Sequence, residues 1–415
     1  MRIAVIHNDY GKLSGEEVVV EQLCSSLSEN GNSVSRFSRS SREIPEKWLG
    51  GLQAFCSGVY NPFARVAFGR FLEKHRPDVV HIHNLFPFIS PAIIPECARR
   101  KVPVVLTLHN FRFICPNALL LREGDTCHDC VGGKEWRCVL HNCERSFLKS
   151  LGYAMRTAFA RKSGLVIKHV DRFICLTNFQ RDIHVGAGFP EDRMVVIPNP
   201  APPKGDVVGK SAAGLCGKVE VTGDGVARAK NLGGDRCDGY VGYVGRVSPE
   251  KDVPALLDAA RMMPTVEFKI AGDYWRMPQL VEEAPPNVEF LGHLDKTRLE
   301  EFFGGMRVFA FATRCYENFP TVLLEAMSAG IPIVCTRIGG LAEIVVDEQC
   351  GLLYKVGDSV DLAAKIQRLW GDAGLRKRLV ASGLEKVTME YGVGRVYEQL
   401  MGVYEELVRA KGAKV

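Results

Sequence analysis

Apolar residues in the first half of the chain form short runs, separated by longer stretches with helical periodicity. Short apolar runs are typical of buried parallel strands, and a 3.6-residue repeat indicates the helices that cover them. The runs predict strands at 2–7, 79–83, 104–109, 172–177 and 195–198, and the repeat predicts helices at 16–30, 89–100, 147–163 and 178–187. This alternation predicts an N-terminal parallel α/β domain over 1–200.

The second half repeats the alternation. It predicts strands at 239–245, 266–271, 288–291, 307–312 and 332–336, and a last helix at 393–411. Between the halves, residues 201–239 are rich in Gly and Pro, which indicates an interdomain linker or mobile loop. The sequence therefore predicts a C-terminal domain over 240–390 and a terminal helix over 391–415.

The length of 415 residues favours two hydrophobic cores over one, since single domains rarely exceed roughly 250–300 residues. The predicted fold class is α/β, with two doubly wound Rossmann-like domains that face each other across a cleft. Such sheets bind ligands at the carboxyl ends of their strands. Most polar residues of interest lie just after a predicted strand.

The composition is that of a globular enzyme, with 46% hydrophobic and 24% charged residues. No apolar run reaches the roughly 18 residues that a membrane span needs, and the N-terminus opens directly into a strand without a secretory signal. We therefore expect a cytoplasmic protein.

Residues 1–200 carry a net positive charge, with 26 Lys and Arg against 19 Asp and Glu, whereas residues 201–415 have 27 against 29. The first half also holds nine of the ten His residues. A basic half suits an anionic partner such as a lipid phosphate, a membrane surface or a nucleic acid, although a solvated basic face is the plainer alternative. The basic residues form no run and no base-stacking motif accompanies them, so we expect no nucleic-acid partner.

The segment 245–251 follows a predicted Gly-rich strand. Ser248 is a good N-cap residue and Pro249 suits a first helical position, so we expect a helix to begin there. Lys251 would then lie in the first turn, where the helix dipole disfavours a cation. A diphosphate bound between Arg246 and Lys251 would explain both cations, and an exposed Lys on a solvated turn is the alternative.

The segment 316–327 joins the strand at 307–312 to a helix that Pro320 opens and that runs to about residue 329. Asn318 tolerates a left-handed backbone, so a tight turn is expected there. The free N–H groups of the first helical turn form a second predicted anion site. These groups belong to Phe319, Thr321 and Val322.

Two carboxylates flank this helix start. Glu317 precedes the helix and Glu325 lies more than one turn inside it, so both can point at one ligand and bind sugar or ribose hydroxyls. The alternative is that Glu317 complements the helix dipole and Glu325 is a solvated residue.

His and Asn residues end the predicted strands at 79–83 and 104–109 in otherwise apolar surroundings. His109 lies immediately before an irregular loop and is therefore the best active-site candidate of the first half. Gly15, at the start of the first helix, could let the backbone approach a phosphate or an acceptor hydroxyl.

Taken together, these residues resemble the retaining glycosyltransferases of family 4 (GT4), which have the GT-B architecture. The family's E-x7-E and G-R-x4-K motifs, its donor-loop Gly pair and its strand-end His all have counterparts in this sequence. The matching residues are Glu317 and Glu325; Gly245, Arg246 and Lys251; Gly339 and Gly340; and His109.

The resemblance implies a hexosyltransferase of polysaccharide or glycolipid biosynthesis. It uses a nucleotide-diphosphate sugar donor and a glycan or polyprenyl-linked acceptor. Arg246 and Lys251 would neutralise the diphosphate, Glu325 would bind the ribose and Glu317 the hexose. His109 would lie near the donor sugar and Gly15 near the diphosphate. In this family the terminal helix crosses back onto the first domain.

The motif residues also suggest a mechanism. Departure of the leaving group places negative charge on the β-phosphate, where Arg246, Lys251 and helix N–H groups are directed. No Asp-x-Asp motif occurs, so we expect no cofactor to be required for catalysis. The alternatives are an epimerase or hydrolase on the same architecture, or a non-catalytic nucleotide-sugar-binding subunit.

A Cys-rich insert occupies residues 115–143. One C-x2-C pair with further Cys nearby is a pattern of structural zinc sites. The chosen ligands are Cys115, Cys127, Cys130 and Cys143, with Cys138 as a substitute. Free thiols, or a disulfide formed during purification, are the alternatives.

A basic amphipathic stretch follows at 145–168, with apolar residues such as Phe147 and Leu148 interleaved with Lys and Arg. It could lie on an anionic membrane at the inner face of the cell, which would suit a polyprenyl-linked acceptor. A core-facing helix with a solvated back is the alternative.

Overall fold

The computed structural model describes residues 1–11, 15–42, 50–202, 219–221, 227–229 and 239–412. Its chain divides into two compact units. The first unit comprises Met1–Arg122, Cys127–Asn199 and Val396–Val415, and the second comprises Glu123–Thr126 and Pro200–Arg395. The predicted linker at 201–239 lies outside the described residues, except at its two ends and in the short strands Val219–Val221 and Ala227–Ala229.

The sheet of the first unit has six parallel strands in the order β2-β1-β3-β4-β5-β6. The strands are β1 (Arg2–Asp9), β2 (Ser33–Ser40), β3 (Val79–Asn84), β4 (Val104–Thr107), β5 (Arg172–Cys175) and β6 (Met194–Val196). The chain reverses direction across the sheet between β1 and β3, and this switch point is where open α/β sheets bind ligands.

Four helical regions of this unit lie where helices were predicted, and its other helices were not predicted. They are α1 (Gly15–Glu29), α2 (Gly50–Val59), α3 (Pro62–His75), α4 (Ile94–Arg99), α5 (Trp136–Leu140), α6 (Phe147–Ser163), α7 (Leu165–His169) and α8 (Asn178–Gly186). Two 3₁₀ turns, Pro91–Ile93 and Glu191–Arg193, and the short strands Leu121–Arg122 and Asp125–Thr126 complete the elements before residue 200. The predicted helix at 89–100 is therefore a turn followed by a shorter helix.

Strand β2 and helices α2 and α3 are absent from the sequence-based prediction. Strand β2 is an edge strand that pairs only with β1, and its sequence is mostly Ser and Arg. Helix α3 has a clear start, since Asn61 accepts a 3.0 Å hydrogen bond from the Ala64 N–H. Its periodicity is blurred because Phe63 and Val66 are exposed.

The last helix, α16 (Val393–Gly412), has the predicted position and belongs to the first unit from Val396 onward. Its buried residues Val396, Leu400, Tyr404 and Leu407 share a hydrophobic core with Ile3 and Val5 of β1. The Tyr404 hydroxyl also contacts His81 Nδ1 at 2.6 Å.

The sheet of the second unit has six parallel strands in the order β9-β8-β7-β10-β11-β12, which is the Rossmann order. The strands are β7 (Tyr240–Val244), β8 (Phe268–Ala271), β9 (Val288–Gly292), β10 (Met306–Phe311), β11 (Ile333–Thr336) and β12 (Leu352–Tyr354). The short strand β12 was not predicted. The switch point lies between β7 and β10.

Seven helices of the described residues belong to this unit. They are α9 (Val253–Met262), α10 (Gln279–Glu282), α11 (Lys296–Gly305), α12 (Thr321–Ser328), α13 (Leu341–Ile344), α14 (Ser359–Gly371) and α15 (Ala373–Tyr391). Helices α9 and α14 cover the sheet with a core that includes Leu256, Leu362 and Ile366. Among the described helices, none combines the length and the hydropathy needed to cross a bilayer.

Candidate functional site

Three loops that carry predicted site residues leave neighbouring strands of the second sheet at their carboxyl ends. Arg246 and Lys251 follow β7, Glu317 follows β10, and the Gly339–Gly340 pair follows β11. Because β7 and β10 flank the switch point, the fold itself brings these loops to one edge of the sheet.

The helix predicted to begin at Ser248 and Pro249 begins instead at Val253. Residues 248–251 form a turn, in which the Lys251 N–H donates a 2.8 Å hydrogen bond to the Ser248 carbonyl. Asp252 occupies the N-cap position without a side-chain capping bond. The prediction was wrong because Ser and Pro also favour turns, and the argument from a helix dipole acting on Lys251 does not hold.

Lys251 is paired with Glu317, one of the two motif carboxylates. The Lys251 ammonium contacts Glu317 Oε1, and both side chains are mostly buried. Thr313 donates its hydroxyl hydrogen to the same oxygen at 2.9 Å. Burial opposes ionisation of Glu317, but the Lys251 charge and these hydrogen bonds outweigh it and lower the pKa of Glu317. Glu317 is therefore a carboxylate at neutral pH.

Further contacts tie the loop after β7 to the loop after β10. The Glu250 carbonyl accepts a hydrogen bond from the Arg314 N–H at 2.9 Å and lies 3.1 Å from the Thr313 hydroxyl oxygen. Arg314 Nε also donates to Asp252 Oδ1 at 2.8 Å. Thr313 and Arg314 therefore hold the loop after β10 against the loop after β7.

Helix α12 starts at Thr321, one residue after Pro320, and ends at Ser328. The backbone at Asn318 is not left-handed, contrary to the expectation of a tight turn there. Phe319 is buried and its ring lies 5.6 Å from that of Tyr391, which fixes the chain before the helix. The N–H groups of Thr321 and Val322 therefore begin a helix whose position is set by packing.

Glu325 lies on the second turn of α12 and is half-buried. Burial raises the pKa of its carboxyl, although a hydrogen bond from Thr321 acts in the opposite direction. The two motif carboxylates therefore differ, since Glu317 is held ionised and Glu325 is the more easily protonated.

Arg246 is the more accessible of the two predicted diphosphate ligands. Its side chain is 59% exposed, and its guanidinium lies 3.2 Å from Glu250. Gly245, just before it, has a φ of +154°, and a Cβ there would lie 2.9 Å from the Tyr243 hydroxyl. Only glycine therefore fits at the point where the strand turns into this loop.

His7, His81, His83 and His109 cluster near the carboxyl edge of the first sheet. His109 lies two residues beyond β4, rather than at its end as predicted. His109 Nε2 contacts His83 Nδ1 at 2.8 Å, and His81 Nε2 contacts the Thr107 hydroxyl at 2.7 Å. Burial lowers the pKa of His109 to about 3, so the His109 ring is neutral at physiological pH.

A second polar group at this edge was not foreseen from the sequence. Glu16 follows Gly15 at the start of α1, and its carboxylate lies 3.7 Å from His7 Nδ1. Tyr10 donates its hydroxyl hydrogen to Glu16 at 2.9 Å, and Arg112 donates to the Tyr10 hydroxyl at 3.4 Å. The helix start at Gly15 and the nearby His7 and Tyr10 were the available signals, but Arg112 comes from a distant segment.

Burial raises the pKa of Glu16 to about 7, although the charges of His7 and Arg112 act in the opposite direction. Within the described part of the chain, Glu16 Oε1 and both ring nitrogens of His7 have no hydrogen-bond partner. Buried polar atoms of this kind are suited to receiving hydroxyl groups of a ligand.

The Cys residues of the insert lie close to one another and are free thiols. Cys130 and Cys138 pack with Ala154, and Cys143 lies against them. A hydrogen bond from Cys138 lowers the pKa of the Cys143 thiol to about 7. In the described ranges no three His, Cys, Asp or Glu side chains are placed to hold a metal ion. The zinc site at Cys115, Cys127, Cys130 and Cys143 stays a prediction.

Comparison with known proteins identifies the family. Residues 13–204 match the family model for Glycosyltransferase Family 4, and residues 238–372 match that for Glycosyl transferases group 1. This chain belongs to glycosyltransferase family 4. The family predicted from the sequence is thus confirmed.

The glycosyltransferase CapM of capsular polysaccharide biosynthesis in Staphylococcus aureus is 25% identical over 185 residues, which cover 42% of this chain. This chain spans about half the length of that relative, since the match covers 48% of it.

Two solved structures show the fold. Sucrose-phosphate synthase from Thermosynechococcus elongatus has a TM-score of 0.70 at 19% identity, over 99% of both chains. Anabaena HepE, in complex with UDP and glucose, has a TM-score of 0.62 at 16% identity, over 98% of this chain and all of HepE. The predicted α/β fold class with GT-B architecture is confirmed.

The buried carboxyl of Glu16 makes the stability of the glycosyltransferase depend on pH. A carboxyl whose pKa is raised in the folded state destabilises the fold as the pH rises from its unfolded pKa to its folded pKa of about 7. We expect Glu16→Gln to remove this loss. The free energy of unfolding of Glu16→Gln minus that of the wild type should be about 1–3 kcal/mol larger at pH 8 than at pH 5. Denaturant unfolding at both pH values measures it.

The matched control is Glu29→Gln, which changes an exposed carboxyl at the end of the same helix. Its difference from the wild type should not change with pH. Parallel pH profiles for Glu16→Gln and the wild type would contradict the expected role of Glu16.

The zinc prediction is tested on the glycosyltransferase purified without chelator under reducing conditions. We expect about one equivalent of zinc, lost in the double variant Cys127→Ser/Cys130→Ser because tetrahedral sites need all four ligands. Metal analysis by mass spectrometry measures both. Cys56→Ser, at an exposed Cys outside the insert, is the control and should retain zinc. Less than half an equivalent in the wild type would refute the site.

Proposed function

We propose that this chain is a retaining hexosyltransferase of polysaccharide or glycolipid biosynthesis. It moves a hexose from a nucleotide-diphosphate sugar to a glycan or polyprenyl-linked acceptor at the cytoplasmic face of the cell membrane. The observation that carries the proposal is the Lys251–Glu317 ion pair at the switch point of the second sheet, next to Arg246 and the start of α12.

The family and two relatives support a nucleotide-sugar donor and a glycan product. HepE binds UDP and glucose, and CapM takes part in capsular polysaccharide biosynthesis. These properties belong to HepE and CapM. The donor and acceptor of this chain are therefore argued from its own site residues.

In the proposed site the diphosphate binds between the loop after β7 and the start of α12. Arg246 is exposed enough to move from Glu250 to a phosphate, and the first N–H groups of α12 add donors that a helix N-terminus directs at anions. Lys251 is already neutralised by Glu317, so the pair contributes little net charge. Arg246 and the helix N-terminus therefore supply most of the attraction for the diphosphate.

Glu317 is assigned to the hydroxyl groups of the hexose. A carboxylate that stays ionised accepts hydrogen bonds only, and Lys251 and Thr313 fix its orientation. Glu325, on the second turn of α12, is assigned to the ribose of the nucleotide. Its position on a rigid helix suits the recognition of a vicinal diol.

When the bond between the anomeric carbon of the hexose and the β-phosphate oxygen breaks, its electron pair stays on that oxygen. Arg246 and the α12 N–H groups stabilise that charge as it develops, which is how preorganised donors lower a barrier. In a retaining reaction the acceptor oxygen then bonds to the anomeric carbon on the same face, and its proton passes to the departing phosphate. The neutral His109 is assigned to hydrogen bonding with the donor sugar.

Removal of Arg246 or Lys251 should impair sugar transfer more than it impairs binding of the acceptor. We expect Arg246→Ala and Lys251→Ala each to lower kcat/KM for the donor by about 100-fold. Arg246→Ala removes a charge that stabilises the leaving group, and Lys251→Ala leaves the buried Glu317 unpaired and releases the loop after β7 from the loop after β10. Arg378→Ala, which removes an exposed cation from α15, should behave as the wild type.

The assay follows sugar transfer and release of nucleotide in parallel. Wild-type transfer rates in both variants would overturn the account of charge stabilisation. Release of nucleotide that does not require any acceptor would instead indicate the hydrolase alternative, and binding without release would indicate a non-catalytic subunit.

Glu325 is tested through the nucleotide alone. A thermal-shift screen of UDP, GDP and ADP should identify one stabilising nucleotide, since the ligand binds only the folded protein. For that nucleotide we expect Glu325→Gln to raise Kd about tenfold, the effect of losing one charge-assisted hydrogen bond. Glu385→Gln, at an exposed carboxyl of α15, is the control. An unchanged Kd in Glu325→Gln would contradict the assignment to the ribose.

A further inference from the structure

Four large hydrophobic side chains of the insert and of the helix after it are more than half exposed. Trp136 and Leu140 lie on α5, and Phe147 and Leu148 begin α6, with exposed fractions between 58% and 70%. Trp136 and Leu140 are four residues apart and therefore share one face of α5. We call residues 134–149 the insert surface. Exposed large hydrophobics so close together mark a site of interaction.

The packing of α5 explains why these side chains face outward. Cys138 is 1% exposed and packs against Ala154 of α6. Glu135, just before α5, pairs with Arg161 of α6 at 2.6 Å. These contacts hold one side of α5 against α6, so Trp136 and Leu140 project from the other side. The hydrophobic exposure is thus imposed by the buried face of the helix.

The amphipathic stretch 145–168 is only partly available for contact. Arg156, which looked like a basic residue of the polar face, is buried and donates a 3.0 Å hydrogen bond to the Pro116 carbonyl. The ring of Phe159 packs edge-on against Tyr60 at 5.9 Å. The most exposed apolar residues are therefore at the start of α6 and on α5, while Tyr153 and Met155 farther along α6 are 36% and 44% exposed.

Basic residues accompany the exposed hydrophobics. Lys134, Arg145 and Lys149 are exposed, and the Arg137 guanidinium lies 5.6 Å from the Trp136 ring and 3.7 Å from Asp129. The insert surface also holds two carboxylates, Glu135, which is buried and paired with Arg161, and the half-buried Glu144. Its four Lys and Arg residues outnumber these two, so exposed apolar side chains are combined with a net positive charge.

We propose that the insert surface docks on an anionic lipid bilayer, with Trp136, Leu140, Phe147 and Leu148 inserted at the level of the headgroups. A Trp among aliphatic side chains suits the interfacial region of a bilayer, and the accompanying Lys and Arg residues attract anionic headgroups. This inference rests on the proposed function, since a polyprenyl-linked acceptor lies in a bilayer. Vesicle binding can nevertheless be measured without any sugar transfer.

The test is flotation of the full-length protein with vesicles of phosphatidylcholine alone or with phosphatidylglycerol added. The wild type should float with the anionic vesicles, float poorly with the neutral ones and lose binding as salt is raised. In the double variant Trp136→Ser/Leu148→Ser the apparent affinity should fall at least about tenfold. Lys134→Gln/Lys149→Gln should weaken binding and reduce its salt dependence.

Trp275→Ser is the matched control. Trp275 is 62% exposed and its ring lies 5.0 Å from the guanidinium of its neighbour Arg276, much as Trp136 lies beside Arg137. It belongs to the second unit, so its loss should leave flotation unchanged. Equal thermal midpoints for all variants establish that the substitutions have not unfolded the protein.

Three results would overturn the proposal: no flotation of the wild type with anionic vesicles, unchanged flotation of Trp136→Ser/Leu148→Ser, or the same loss in Trp275→Ser. A wild-type dimer that becomes a monomer in Trp136→Ser/Leu148→Ser would show that a second copy covers the surface instead. Loss of flotation with normal transfer to a soluble acceptor would separate membrane docking from the proposed activity.

Discussion

The buried ion pair between Lys251 and Glu317 is the interaction on which the candidate site depends. It joins a residue after β7 to a residue after β10, on the two strands that flank the switch point of the second sheet. Isolated, either charge would be costly to bury, and removing one partner of such a pair typically costs about 3–5 kcal/mol. The pair therefore holds two loops in one arrangement, and Thr313 and Arg314 reinforce it.

The chemistry of the two units differs in a way that follows from charge. The site residues of the second unit include cations and an ionised carboxylate, which suits a charged ligand. At the edge of the first sheet the rings of His81, His83 and His109 are neutral, and the carboxyl of Glu16 titrates near pH 7. Buried polar atoms with unsatisfied hydrogen-bonding capacity suit hydroxyl groups of a ligand.

Much of the fold could be predicted because parallel strands that are buried on both faces leave continuous apolar runs in the sequence. Strand β2 escaped prediction because an edge strand needs fewer apolar residues, and β12 because three residues are too few to show a period. The start of α9 was misplaced by four residues, since the Ser and Pro that can begin a helix also fit the turn at 248–251. The motif residues were found by spacing, but their pairing was not. Nothing local in the sequence relates Lys251 to Glu317, or Arg112 to Tyr10 and Glu16.

The place of α16 in the first unit has a consequence for how the protein is made. Val396, Leu400, Tyr404 and Leu407 complete the core that begins with Ile3 and Val5 of the first strand. During synthesis the ribosome delivers the whole second unit before these four residues. The N-terminal sheet must therefore wait, with part of its hydrophobic surface open, until the last helix emerges. The core of the first unit is thus completed by the segment of the chain that is synthesised last.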